Sequence, residues 1–423
     1  MVALTASAAL TRPLPNWQRW TTVWILCLGM IIAYVDRANL SVAVALPDFK
    51  KQFNLDDFQR GLLTSSFFWS YALLQIPAGY LVDRYGVKFP YAMAFFFWSL
   101  MSAATSFVST AWQIVGLRML LGVGESLVTP ASMRWIRFNV AERQRGLAIG
   151  IYMAGTKYGP AIGVPLAAYL ARDFGWQQMF LILGFGSLLW LIPWMFMVNN
   201  DDKQLESAAT VRSGKPVMEF KQVWKTPLIY GVIIGTFAYN YFVFFCMTWL
   251  PVYFREHRNF SMEKMGSYTF FSFSGMATVA ILAGLAADKL IDHGWDPLKV
   301  RKGFTIAGLV IASTEIFGII ASSPEMSAYI FIFSLSGLGL ATANYWALTQ
   351  LLIPGAAAGR IAGVQNFASN IAGAIAPILT GYLIKVTGSY NAPMMAICIF
   401  LLAGIAAYIF LVQPKYAPKA QNV

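Results

Sequence analysis

Gly79-Tyr80-Leu81-Val82-Asp83-Arg84-Tyr85-Gly86-Val87-Lys88 ends one apolar run and begins the next, and 205 residues later Gly284-Leu285-Ala286-Ala287-Asp288-Lys289 stands between two other apolar runs. The echo extends beyond the loop: Gly146, Gly150, Tyr169 and Leu170 recur 213 residues on as Gly359, Gly363, Tyr382 and Leu383. Charged loops of this kind cannot lie in hydrocarbon, so they fix where each apolar run must stop. One unit has been built twice.

The composition says what kind of unit it is. Of 423 residues, 58% are hydrophobic and 12% charged, with a mean hydropathy of +0.58, whereas a soluble domain carries about 25% charge. Long apolar runs with short charged punctuation predict spanning helices, while a membrane barrel would show weaker alternation over ~10-residue segments. Twelve spans are read at 20–48, 57–82, 89–109, 111–138, 144–171, 175–198, 227–254, 264–291, 303–322, 326–353, 359–386 and 391–412. The fold class is therefore an all-α polytopic membrane protein, with 12 transmembrane helices in two pseudo-symmetric six-helix bundles. The expected divisions are an N-terminal tail 1–19, a first bundle 20–198, a polar linker 199–226, a second bundle 227–412 and a C-terminal tail 413–423.

Placing both tails and the linker on one side puts 20 of the 31 Lys and Arg there, against eight opposite and three within spans. That asymmetry predicts cytoplasmic termini, with residues 1–20 read as a tail without a cleavage site. It also explains the net charge of +12 without a nucleic-acid partner. Cys27, Cys246 and Cys398 each sit in an apolar run and show no pairing pattern, and His257 and His293 are isolated in loops. No metal-spaced cluster, Walker loop or G-x-S-x-G elbow is present, so no enzyme and no cofactor is expected.

Two six-span halves related by an axis along the membrane normal suit a rocker-type transporter with its site between the halves. Together with the Gly79–Lys88 loop and its degraded copy at Gly284, they resemble the major facilitator superfamily. Within it, the chain is similar to the anion:cation symporter branch, which includes bacterial galactonate, glucarate and hexuronate carriers and the sialin-type carriers. The residues that carry this likeness are Tyr34-Val-Asp36-Arg37-Ala-Asn39, Tyr71-x-x-x-Gln75-Ile-Pro77-x-Gly79, Gly116-Leu-Arg118 with Glu125, Thr248-Trp-Leu-Pro251 and Gly363-Val-x-Asn366. The resemblance covers essentially the whole chain.

Charges at membrane depth single out the candidate residues. Asp36 and Arg37 lie inside an apolar segment, where each costs roughly 2.5–3.5 kcal/mol even on a lenient scale, so they either staple one helix end or face a water-filled cavity. Arg118 and Glu125, seven residues apart, form a column ~10.5 Å long on one helix face. Lys157 sits mid-span in Gly155-Thr156-Lys157-Tyr158-Gly159-Pro160, where small residues admit a close neighbour, and it departs from the sugar-acid carriers. The second half offers amides and rings instead: Tyr239-Asn240-Tyr241, Asn344-Tyr345-Trp346, Asn366 and Asn370. For single aromatics, helix packing is the competing explanation. Glu315 is set aside because its helix is expected at the periphery.

The resemblance implies proton coupling through Asp36 and Glu125, with Arg118 poising Glu125. It implies substrate contact from Arg37 and places Tyr34, Tyr71, Thr156, Asn366 and Trp346 around the site, to which Lys157 and Asn344 are added. Gly79, Asp83, Arg84, Gly86, Lys88 and Asp288 are expected to form a conformational switch. The expected activity is proton-coupled import of a sugar acid by alternating access, through a monomer in a bacterial inner membrane, with the proton as coupling ion and lipid as surroundings. An aromatic or aliphatic carboxylate is the alternative cargo; phosphate-linked antiport and a non-transporting receptor are the other readings.

Overall fold

A computed structural model describes residues 14–198, 226–352 and 355–417, less the side chains at 142–143 and 355–360. Most of the expected tails and linker (1–13, 199–225 and 418–423) lies outside the described residues. The first half comprises α1 (Asn16–Ala43), α2 (Asp57–Tyr85), α3 (Lys88–Ala104), α4 (Ala111–Glu125), α5 (Val128–Asn139), α6 (Glu142–Ser187) and α7 (Leu191–Met197). The second comprises α8 (Pro227–Thr248), α9 (Met262–Asp292), α10 (Pro297–Ala312), α11 (Pro324–Thr342), α12 (Asn344–Leu352), α13 (Gly355–Thr387) and α14 (Asn391–Phe410).

Eight helical stretches among the described residues are long and apolar enough to cross a bilayer. One of them, Gln144–Met197, contains two crossings, because Gly175 at φ +86° turns the chain between them. Three further crossings fall short on apolarity or length. Thr64, Ser65, Ser66, Ser70 and Gln75 make α2 more polar, while α3 and α10 are completed by the 3-10 turns Thr105–Phe107 and Ser313–Gly318. The two bundles thus have six crossings each.

Local chemistry sets the helix ends. Asp56 accepts from the Gln59 amide while the Gln59 side chain accepts from the Asp56 amide, and Thr110 and Gln113 repeat this box at the start of α4. Gly86 stops α2 at φ +85°, a backbone region that side chains resist. That requirement is a local reason for a glycine within the loop motif.

The first bundle closes around α1. Gly155, Gly159 and Gly163 form a stripe on α6 against which α1 packs: a Cβ at Gly159 would lie 2.3 Å from Cβ of Tyr34, and one at Gly155 2.8 Å from the Cys27 carbonyl oxygen. Small residues bring membrane helices into close contact, so the neighbour that these glycines admit is a helix. Gly159→Val is expected to force α1 and α6 apart at a cost of ~1–3 kcal/mol. The check is the apparent melting temperature of the purified variant, which should fall by several degrees; an unchanged value would show that α1 shifts freely.

Between the halves, α2 runs along α13 and α6 along α9. At the end of the bundle away from the termini, these pairs touch closely. A Cβ on Gly61 would lie 2.3 Å from the Pro377 carbonyl oxygen and one on Gly381 2.2 Å from that of Asp57. At the terminal end, Cβ atoms added to Gly79, Gly146, Gly150, Gly284 and Gly363 would meet nothing within 4 Å. The halves are pressed together at one end and spread at the other.

Candidate functional site

Four charged side chains from α1 and α4 meet at mid-bundle. Arg37 Nε donates to Glu125 Oε2 at 2.7 Å. Arg118 donates to the Asp36 carbonyl oxygen and to Asn39 Oδ1, both at 2.7 Å. Asp36 Oδ1 accepts from Ser102 Oγ at 2.7 Å and from Asn39 Nδ2 at 3.4 Å. All four charged residues are buried. The helix is interrupted here: α4 ends at Glu125 and α5 starts at Val128, next to Gly122 and Gly124, where the Phe67 carbonyl and Trp98 approach.

The two guanidiniums differ in what remains free. Both terminal nitrogens of Arg118 are engaged, so it fixes the register of α1 against α4. Arg37 uses only Nε; among the described residues its two terminal nitrogens make no hydrogen bond. Its guanidinium is walled by the rings of Tyr34, Phe67 and Tyr71, at 4.5, 4.6 and 4.6 Å from the centroids. Each such contact contributes about 0.5–2 kcal/mol, enough together to hold the plane in place. On the carboxylates, Asp36 Oδ2 and Glu125 Oε1 are buried without a partner.

Lys157 is half-buried, and its Nζ lies 5.6 Å from the ring of Tyr239 on α8, across the interface between the halves. Among the described residues it has no carboxylate within 4 Å. Tyr239 donates to or accepts from Thr342 at 2.7 Å and packs on Tyr345, which packs on Trp346. Tyr239 presents its ring to the cation, backed by Tyr345 and Trp346. Thr156 is half-buried and donates to the Met153 carbonyl. Asn366 contacts Gln75 directly, joining α13 to α2 one turn from Tyr71 towards the terminal end.

Asn344 is set apart from this group. It is buried and accepts from Arg301, which also pairs with Asp288. It therefore belongs with the charged loop at the terminal end, a position that its spacing from Trp346 does not reveal, because the chain is interrupted at Ala343 between α11 and α12. In the first half, Asp83 pairs with Arg134 at 2.6 Å. Arg84 lies exposed over Tyr85 and Lys88 near Phe89, while Arg145 donates to the Val140 carbonyl. Asp83–Arg134 lies within the first half and Asp288–Arg301 within the second.

The opposite end carries residues that the sequence did not single out. Arg60 is fully buried, donates twice to Glu256 at 2.9 and 3.0 Å and once to Asp57 at 2.9 Å, and faces Trp249. Trp249 donates to the Pro377 carbonyl at 3.1 Å, Lys385 pairs with Asp56 at 2.9 Å, and Arg172 pairs with Glu263. Arg60–Glu256, Lys385–Asp56 and Arg172–Glu263 each join one half to the other, while Arg60–Asp57 and Trp249–Pro377 stay within a half. The only signal for Arg60 was a cation three residues into a span that also starts with Asp57; its partner is 196 residues away. Arg60→Ala is expected to loosen this end, so that Cys introduced at Gly79→Cys at the spread end reacts more slowly with a water-soluble thiol reagent, by at least ~3-fold. Equal rates would show that Arg60 does not bias the equilibrium. Cys27 and Cys246 are buried; Cys398 is only partly buried and is replaced by serine in the background used for this test.

Glu315 is buried, with neither oxygen partnered, in the 3-10 turn after α10. Glu315 is set aside in the sequence because its helix is expected at the periphery; its side chain is nonetheless buried in the second bundle, near Cys246 and Tyr253.

The Major Facilitator Superfamily model matches residues 26–377. The probable L-galactonate transporter of Escherichia coli strain K12 is 28% identical, covering 94% of this chain and 90% of its own. The probable galactarate/D-glucarate transporter of Bacillus subtilis strain 168 is 28% identical, covering 94% and 92%. A crystal structure of a bacterial homologue of the human lysosomal transporter Spinster, in an inward-facing and occupied conformation, superposes with a TM-score of 0.79 at 17% identity, over 97% of this chain and 100% of that one. Matched over most of its length by the family model, the chain belongs to the major facilitator superfamily and is a membrane transporter rather than an enzyme.

Proposed function

We propose that the protein is a proton-coupled symporter that imports a sugar acid (an aldonate, hexuronate or aldarate) by alternating access across a bacterial inner membrane. It would act as a monomer with both termini in the cytoplasm. The observation that carries this reading is the guanidinium of Arg37: it is held rigid by three rings, with two terminal nitrogens free and Nε on Glu125. A free planar fork suits a carboxylate bidentately. The relatives' names for galactonate and galactarate/D-glucarate carriers support the same cargo class.

Coupling follows from competition. Substrate and Glu125 both seek Arg37, so a proton on Glu125 releases the cation and favours the anion, and bound anion favours the proton in return. Glu125 Oε1 and Asp36 Oδ2, unpartnered, are atoms where those protons can sit. With the termini cytoplasmic, the spread end opens inward and the Arg60–Glu256 end closes outward. Asp83–Arg134 and Asp288–Arg301 would then regroup across the interface when the inner end closes.

Uptake of labelled galactonate, galactarate and a hexuronate into proteoliposomes, driven by an inside-alkaline pH gradient, tests this reading. Accumulation without any internal counter-substrate is expected. Uptake only after preloading with phosphate or an organic anion would instead identify an antiporter. The ring shelf of Tyr239, Tyr345 and Trp346 favours a second cargo class, an aromatic or aliphatic carboxylate, which the same assay distinguishes by competition.

A further inference from the structure

The charges of the site do not cancel. Asp36 and Glu125 balance Arg37 and Arg118 within one hydrogen-bonded cluster, and Lys157 stands beyond it with no carboxylate within 4 Å among the described residues. The facing half supplies the Tyr239 ring, and a ring attracts an ammonium without neutralising it. A half-buried ammonium at membrane depth is costly to leave unmatched. Glu315, the other unpaired membrane charge described, sits in the second bundle among Cys246, Cys398 and Tyr253; it is not a partner of Lys157.

Depth separates the two cations. Gly159 is level with Tyr34, since a Cβ there would touch Tyr34 Cβ. Lys157 leaves α6 two residues before Gly159, ~3 Å towards the terminal end, and Arg37 leaves α1 three residues after Tyr34, ~4.5 Å the other way. The two backbone positions are thus staggered by about 7–8 Å along nearly parallel helices. The terminal carbons of an extended six-carbon chain, joined by five C–C bonds of ~1.5 Å in zigzag, are about 6 Å apart. Flexible side chains easily take up the difference.

We propose that Lys157 is a second anion subsite and that the preferred cargo is a dianion of six-carbon length, with one carboxylate on Arg37 and the other on Lys157. This rests on the sugar-acid reading above. One proton on Glu125 leaves the cluster and Lys157 with two net positive charges, which match the two carboxylates. The Tyr239–Tyr345 shelf lies beside the Lys157 end of such a substrate.

Galactonate and galactarate test the proposal, because they differ only in whether the sixth carbon is a hydroxymethyl or a carboxylate. Binding to the purified full-length protein is measured calorimetrically at one pH. The native protein is expected to bind galactarate at least ~10-fold tighter than galactonate. Lys157→Gln should abolish that preference by weakening galactarate at least ~10-fold more than galactonate, and Lys157→Arg should keep it. Equal affinities in the native protein, or a Lys157→Gln variant that weakens both acids alike, would overturn the dianion proposal alone. Failure of the native protein to bind either acid would remove the sugar-acid reading and this proposal with it.

Discussion

Arg37→Lys is expected to lower sugar-acid uptake by roughly 100-fold, although the positive charge is kept. The side chain's value lies in geometry. Arg37 spends one nitrogen on Glu125 and presents the other two as a fork, in a slot made by Tyr34, Phe67 and Tyr71. An ammonium is a point charge with no plane to fit that slot, and it cannot present two parallel donors to a carboxylate. Losing one charge-assisted hydrogen bond costs about 1.5–3 kcal/mol, which corresponds to ~10–150-fold in affinity. The measurement is uptake at substrate concentrations well below saturation, alongside the thermal stability of the purified variant. A variant that folds normally and transports within ~3-fold of the native protein would remove Arg37 from substrate binding.

The fold was legible because hydrocarbon is a strict solvent. It forces apolar runs of one length and confines loops to short charged segments, so the Gly79 loop and its copy at Gly284 mark the two halves directly. Within-helix spacing was legible too: Arg118 and Glu125 do share a face, and both turn it to α1. What the spacing could not give is the partner. Arg118 shares the face of Glu125, and its terminal nitrogens hold the Asp36 carbonyl and Asn39, a choice that depends on how α1 slides along α4. Asn344 and Arg60 are similar cases, since each is decided by a partner on another helix, 43 and 196 residues away. Glu315 was misplaced for a related reason. Its helix is peripheral by order in the chain, but its side chain is buried among residues of the second bundle. The glycines around Lys157 predict a close neighbour, and the packed structure makes that neighbour the helix α1.

Glu125→Gln is expected to separate binding from coupling. Glutamine has the shape of the protonated acid, and its side-chain oxygen can still accept from Arg37 Nε, so the slot around Arg37 should persist. What it cannot do is take up or release a proton. Substrate should therefore still bind and still exchange across the membrane in counterflow, at rates within ~5-fold, because neither process needs net proton movement. Accumulation driven by a pH gradient should collapse. One pH unit is worth about 1.4 kcal/mol per coupled proton, or ~10-fold in accumulation, so a two-unit gradient gives a large signal to lose. The sign in the native protein follows from competition at Arg37: protonation frees the guanidinium, so substrate affinity should rise as pH falls, and this dependence should flatten in Glu125→Gln. A residual slope would belong to Asp36, whose Oδ1 is already held by Ser102 and whose Oδ2 is free, and adding Asp36→Asn should remove it. Full gradient-driven accumulation by Glu125→Gln would take Glu125 out of the coupling step, whatever its bond to Arg37. Loss of counterflow together with accumulation would mean instead that the Arg37–Glu125 pair is needed for the helices to move, and that the proton enters elsewhere.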